Sequence, residues 1–213
     1  MIGPDAQLSL AYAPAKLRLH YKALLGFDAA LGQAFKATNE IGLIQIRLVW
    51  WRDQLGKPNA REPVITALND MICNHDVSVE RLIQVIDGWA MLLDDPPYDD
   101  ATLLEYAKLR GAGLFAIAAQ RAGCGAVDEA GIGWALTDFA RHCSDGDTAE
   151  RAMALARAAL HSGVVASLPK PMRSFAILAR FAQSDCARPL DQQRAAGSPY
   201  RIIQAIGFML FGR

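Results

Sequence analysis

Apolar side chains in this chain recur at spacings of three and four in segment after segment, and that periodicity constrains the fold most. Between Ala15 and Phe35 the residues Leu17, Tyr21, Leu24, Phe27, Leu31 and Phe35 fall on one face of a helix. Val79, Leu82, Ile83, Ile86, Trp89 and Leu93 repeat the pattern further on. Alternation, the mark of a half-buried strand, is confined to IQIRLVWW inside Ile41–Leu55. No partner strand is evident elsewhere, so that stretch is expected to be helical as well. The breaks fall where helices start or stop. Pro14 suits a first turn, Gly56, Pro58 and Asn59 close the second segment, and Ser78 after HDV is placed to cap the next. DDPPYDD (Asp94–Asp100) and GCG (Gly123–Gly125) are further stops. The 37 alanines favour helix over strand. Nine helices are expected: Ala15–Phe35, Ile41–Leu55, Glu62–Asn74, one from Ser78 to about Leu93, Thr102–Arg121, Glu129–Cys143, Thr148–Ser162, Pro171–Ser184 and Tyr200–Leu210. With no repeat and no long linker, the expected architecture is a single all-α domain over 1–213.

The charges balance, with 22 basic and 22 acidic side chains, which argues against a generally basic nucleic-acid binder. A 52% hydrophobic share beside 21% charged residues predicts collapse rather than disorder. Cys73, Cys124, Cys143 and Cys186 form no C-x-x-C pair, so zinc and thioredoxin-like sites are not indicated. Reduced and mostly buried thiols in a cytoplasmic protein are expected. MIGPDAQLSL lacks a basic n-region and a long apolar core, and no run of 18 apolar residues occurs. The apolar end Ile202–Phe211 is expected to dock as a terminal helix, with a contact at the membrane surface as the other reading.

Few features carry chemistry on their own. Asp94, Asp95, Asp99 and Asp100 flank Pro96 and Pro97, and prolines deny them a common helix face. An exposed turn, with Asp99 or Asp100 at a helix N-terminus, is the expected role. His20, His75, His142 and His161 show no H-E-x-x-H spacing, and no G-x-S-x-G marks a nucleophile. The glycines of RGAGLF (Arg110–Phe115) lie in a helical pattern with no preceding strand, so close helix packing is expected rather than dinucleotide binding. In RLVWWRD (Arg47–Asp53) the expectation is one core Trp and one at the rim with Arg stacked on it, against a wall of an apolar ligand cavity.

Five stretches in order carry a resemblance: APAKLRLHYKALLGFDAAL (Ala13–Leu31), IRLVWWRDQL (Ile46–Leu55), LLEYAKLRGAGLFAIAAQRAG (Leu103–Gly123), GIGWALTDFAR (Gly131–Arg141) and LPKPMRSFAILARFA (Leu168–Ala182). Together they resemble the squalene/phytoene synthase family, most strongly through Arg47-Leu48-x-Trp50-Trp51-Arg52-Asp53 and the helix around Tyr106. The resemblance implies an isoprenoid-synthase-like helical bundle around a central cavity. Active members join two prenyl diphosphates head to head, using two D-x-x-x-D helix motifs that hold magnesium. Carboxylates at i and i+4 share a helix face, which suits a hard cation bridging phosphate.

This chain departs from that pattern. The first motif falls on Gly32 and Lys36, the second on His142 and Gly146, and the stretch between Arg141 and Leu168 is shorter than the resemblance implies. A lysine at a ligand position replaces attraction by repulsion. FDAAL followed by EIGLIQIRL is similar to the mitochondrial complex I assembly factor of the superfamily, which also lacks the aspartates. The expectation is therefore a family member without prenyl transfer and without cofactor, binding an isoprenoid-like or other lipid ligand or acting in assembly with a protein partner. The alternative is an active prenyl diphosphate transferase with a rearranged magnesium site, a shift of one turn making Asp28, Asp138 and Asp145 the ligands. Arg18, Asp28, Trp50, Tyr106, Asp138 and Arg141 are the expected substrate-binding residues, on helices that line the family's cavity. Their structural alternative is surface cations for Arg18 and Arg141, a solvated carboxylate for Asp138 and core packing for Trp50 and Tyr106.

Overall fold

The computed structural model describes residues 2–58, 60–94, 97–125 and 127–211, and among these no strand occurs. The chain is all-α. The helices are α1 (Pro4–Ala11), α2 (Arg18–Lys36), α3 (Ile41–Gln54), α4 (Pro63–Cys73), α5 (Val79–Ala90), α6 (Asp100–Ala107), α7 (Gly113–Arg121), α8 (Asp128–His142), α9 (Gly146–Ala159), α10 (Arg173–Cys186) and α11 (Pro199–Phe211). A π-helical turn, Lys108–Ala112, joins α6 to α7 without a break, so the two make one rod.

Nine of these rods answer to the nine expected helices. The tenth, α1, has no expected counterpart, because only Ser9 and Leu10 are buried on it and no stripe marks it. It is held from outside its own sequence: Ser9 Oγ lies 3.1 Å from Ser174 Oγ on α10. Caps act where small polar residues precede a helix. Ser78 accepts from the Arg81 amide and Asp99 from the Thr102 amide, at 3.4 and 2.7 Å. Asp95 and Pro96 lie outside the described residues. Asp100 pairs with Arg151.

Alternation in α3 resolves as a helix with apolar residues all round. Ile44, Leu48 and Trp51 face inward, while Ile41, Leu43, Ile46, Val49 and Trp50 are exposed. The core is tied by aromatic edges: Tyr21 on α2 and Phe115 on α7 each meet Phe175 on α10 with ring centroids 4.9 Å apart. All four cysteines are free, but only Cys186 is buried; Cys73 is exposed at the end of α4 and Cys124 and Cys143 are half-buried, which corrects the expectation of mostly buried thiols.

The middle of the bundle is set by glycines in backbone contact. A Cβ on Gly111 would lie 2.1 Å from the Gly131 carbonyl oxygen, so the π turn and α8 can approach this closely only without side chains. That contact gives the glycines of RGAGLF their packing role at Gly111.

No helix among the described residues is long and apolar enough to cross a membrane. α11 docks by a narrow face. Arg201 is fully buried and bonds Asp185 on α10, its Nε lies 3.3 Å from Asp5 Oδ2, and Ala205 packs with Ile177 and Phe181. Ile202, Ile203, Ile206, Leu210 and Phe211 stay exposed on the other side.

Candidate functional site

Helices α1, α2, α3, α5, α6, α8, α10 and α11 surround a cavity of about 700 Å³, within the range of small-molecule sites. Its apolar wall includes Leu25, Ile41, Ile44, Leu92, Leu93 and Phe181. Its polar floor is built on Arg110, which stands on the π turn and is only 2% exposed. Single π turns are rare and concentrate at functional sites.

Arg110 spends its guanidinium on three neighbours. Nε donates to Asp28 Oδ1 at 2.7 Å and Nη2 to Asp28 Oδ2 at 2.8 Å, a bidentate pair. Nη2 also donates to Asp138 Oδ2 at 2.7 Å, and Nη1 donates to the Tyr106 hydroxyl. The indole N–H of Trp89 adds a bond to Asp28 Oδ1 at 3.0 Å. Two indole faces close over the cation, Trp89 at 4.1 Å and Trp134 at 4.9 Å from ring centroid to Cζ. Burial acts against the guanidinium's charge, yet Asp28, Tyr106 and Asp138 outweigh it and raise its pKa well above the usual value. Burial likewise works to raise the Asp138 carboxyl. Arg110, His142 and Lys36 beside it win, holding it below the usual carboxylate range. Burial pushes the Tyr106 hydroxyl well above its ordinary range.

Of the expected site residues, Asp28, Tyr106, Asp138 and Arg141 line this cavity. Arg141 is committed, its Nη1 2.7 Å from Asp185 Oδ2. Arg18 is not brought there. It is exposed at the start of α2, and Nη2 donates to the Ala13 carbonyl at 3.2 Å. Trp50 is not brought there either. Trp51 turns inward against Phe27, and adjacent helical residues point in divergent directions, so Trp50 emerges 44% exposed beside a shallow groove between α2 and α3. Among the described residues no cation stacks on it, against the expectation: Arg52 pairs with Asp87.

The sequence reading passed over Arg110, although a signal existed. Leu103, Tyr106, Arg110 and Leu114 share the three-and-four spacing, which places a charge on the apolar face of a helix and demands a buried counter-charge. It also passed over Trp89 and Trp134 as partners of that charge.

Of the four positions on which the resemblance puts the two D-x-x-x-D motifs, Gly32, Lys36 and His142 line the cavity, and Gly146 is not among its lining residues. A Cβ on Gly32 would lie 2.9 Å from the Trp89 ring, so the indole fills the space a side chain would need. Lys36 Nζ lies 3.4 Å from His142 Nε2. One turn earlier, Asp28 and Asp138 do converge, on Arg110. Asp145 does not join them: it caps α9, accepting from the Thr148 amide at 2.8 Å. Among the described residues no three acidic, His or Cys side chains are grouped to hold a metal. Magnesium does not fit this donor set. Both Asp28 oxygens and Asp138 Oδ2 are engaged by Arg110, and a cation set between them would face a guanidinium at about 4 Å, costing about 4 kcal/mol for each pair of unit charges at an effective dielectric of 20.

A family model described as squalene/phytoene synthase matches residues 3–167. The last of the five resembling stretches, Leu168–Ala182, lies beyond the matched residues. No curated protein and no solved structure matches the chain.

Proposed function

The protein belongs to the squalene/phytoene synthase family, and from that premise we propose that it is a member without prenyl-transfer activity, whose cavity takes an isoprenoid-like or other lipid with no metal. The observation that carries this reading is the closure of Asp28 and Asp138 on Arg110. A diphosphate needs divalent cations to bridge it to carboxylates. Here the bridging cation belongs to the chain, is wedged between two indoles, and points its donors at protein acceptors. The apolar wall remains, and apolar walls favour a hydrocarbon chain through burial. Incubation with farnesyl diphosphate and magnesium should release no diphosphate and yield no C30 product, while a lipid probe should still bind in the presence of chelator. Diphosphate release in proportion to enzyme would overturn the reading.

A second reading, a role in assembly at a membrane surface, is supported by α3 and α11. Surface helices usually carry charge on their outer face. On α11 the outward residues Ile203, Leu210 and Phe211 carry none, and on α3 Ile46 and Val49 are exposed beside Arg47 and Asp53. Apolar faces of this kind mark interaction sites. Co-purification of a stoichiometric partner that is lost on Ile46→Glu, with lipid binding retained, would favour assembly as the main role.

A further inference from the structure

Among the described residues, each arginine that lines the cavity wall is ion-paired, while Lys36 and Asp94 form no ion pair. Arg110 lies between Asp28 and Asp138. Arg141 and Arg201 share Asp185, and Arg201 also reaches Asp5. Lys36 forms no ion pair. Its one polar partner is His142, whose Nδ1 lies 2.8 Å from the Asp138 backbone oxygen. A carbonyl only accepts, so Nδ1 donates there, and Lys36 Nζ meets the other ring nitrogen. The ammonium has three N–H groups and this one polar partner among the described residues.

We infer that Lys36 and His142 form the head-group site of a single-chain amphiphile bearing one negative charge, bound without metal. This rests on the reading of the cavity as a lipid site. Lys36 and His142 stand on α2 and α8, in the same lining as Leu25, Ile41, Ile44 and Leu92, so a tail laid on that wall keeps its head within reach of the ammonium. The head carries negative charge because the Lys36 ammonium, which forms no ion pair within the chain, attracts it. It carries one charge because a diphosphate would set several against Asp138 behind Lys36 and against exposed Asp94 in the same lining, with a single uncommitted cation to offset them. A fatty-acid carboxylate and the phosphodiester of a lysophospholipid share this chemistry.

Trp89 and Trp134 line the cavity, so their emission reports its occupation. The full chain, in chelator and below micelle concentrations, is titrated with palmitate, palmitoyl lysophosphatidylglycerol, hexadecanol and farnesyl diphosphate. At least one monoanion should bind about tenfold or more tightly than hexadecanol, and the tighter of the two identifies the source. Lys36→Glu should lose about tenfold for that monoanion and leave hexadecanol unchanged, while Lys36→Arg should retain the difference. Lys36 is exposed, so these variants fold. Equal affinity for monoanions and alcohol, or no effect of Lys36→Glu, would overturn the head-group site and leave the lipid reading standing. Tighter binding of farnesyl diphosphate than of either monoanion would overturn the single charge. Failure of all four compounds to bind would overturn the lipid reading itself.

Discussion

Arg110 and Asp28 meet edge to edge, with Nε to Oδ1 at 2.7 Å and Nη2 to Oδ2 at 2.8 Å, and both side chains are more than nine-tenths buried. A pair of this kind is costly to break from one side, since the partner stays behind as an uncompensated charge. Arg110→Ala should lose about 3–5 kcal/mol of unfolding free energy, or about 6–20 °C in Tm for a chain of this length. The double variant Asp28→Asn with Arg110→Met should lose less than the sum of the two single variants, as denaturant unfolding of all four proteins would measure.

The depressed Asp138 carboxyl fixes the sign of an acid effect. A group whose folded pKa lies below its unfolded value stabilises the fold above the unfolded pKa, and that contribution fades as pH falls through the folded one. Unfolding free energy should therefore drop as pH falls below about 4. Asp138→Asn should flatten that slope and change little between pH 5 and 8 beyond a constant offset. Denaturant midpoints followed from neutral to acid pH check it.

Restoring one carboxylate at the first motif should not restore the site. Gly32→Asp places a Cβ against the Trp89 ring, and overpacking of this kind costs about 1–3 kcal/mol. Thermal unfolding should report that loss, and manganese added to the variant should recover none of it.

The bare face of α11 gives a separable prediction. Ile203→Glu combined with Phe211→Glu should change stability by less than about 0.5 kcal/mol per site, because both residues are exposed. If the face rests on a membrane, the double variant should stop sedimenting with phosphatidylglycerol vesicles that carry down the parent chain.

The helices were legible because each buries one stripe of a period that survives in the sequence. α2 and α5 show this with Leu24, Phe27 and Leu31 and with Leu82, Ile86 and Trp89. α1 escaped because a partner, Ser174, holds it and no stripe does. The resemblance put the aspartate motifs on Gly32, Lys36, His142 and Gly146, and offered Asp28 and Asp138 after a shift of one turn. What was not visible was the meaning of that shift. Arg110 lies 82 residues from Asp28 in sequence, and only the π turn aims it between the two carboxylates. Trp50 lies on a face of α3 turned away from the cavity, a rotation that depends on how α3 packs, and Arg18 stands at the first residue of α2, about two turns before Leu25, the first residue of that helix to line the cavity.

Arg110 holds Asp28 and Asp138, the carboxylates that metal-dependent chemistry would need. Calorimetric titration of farnesyl diphosphate into the protein, with and without magnesium, tests it most directly. The predicted result is that magnesium adds no saturable binding to what the metal-free protein shows. Saturable binding that requires magnesium and is abolished by Asp138→Ala would contradict it.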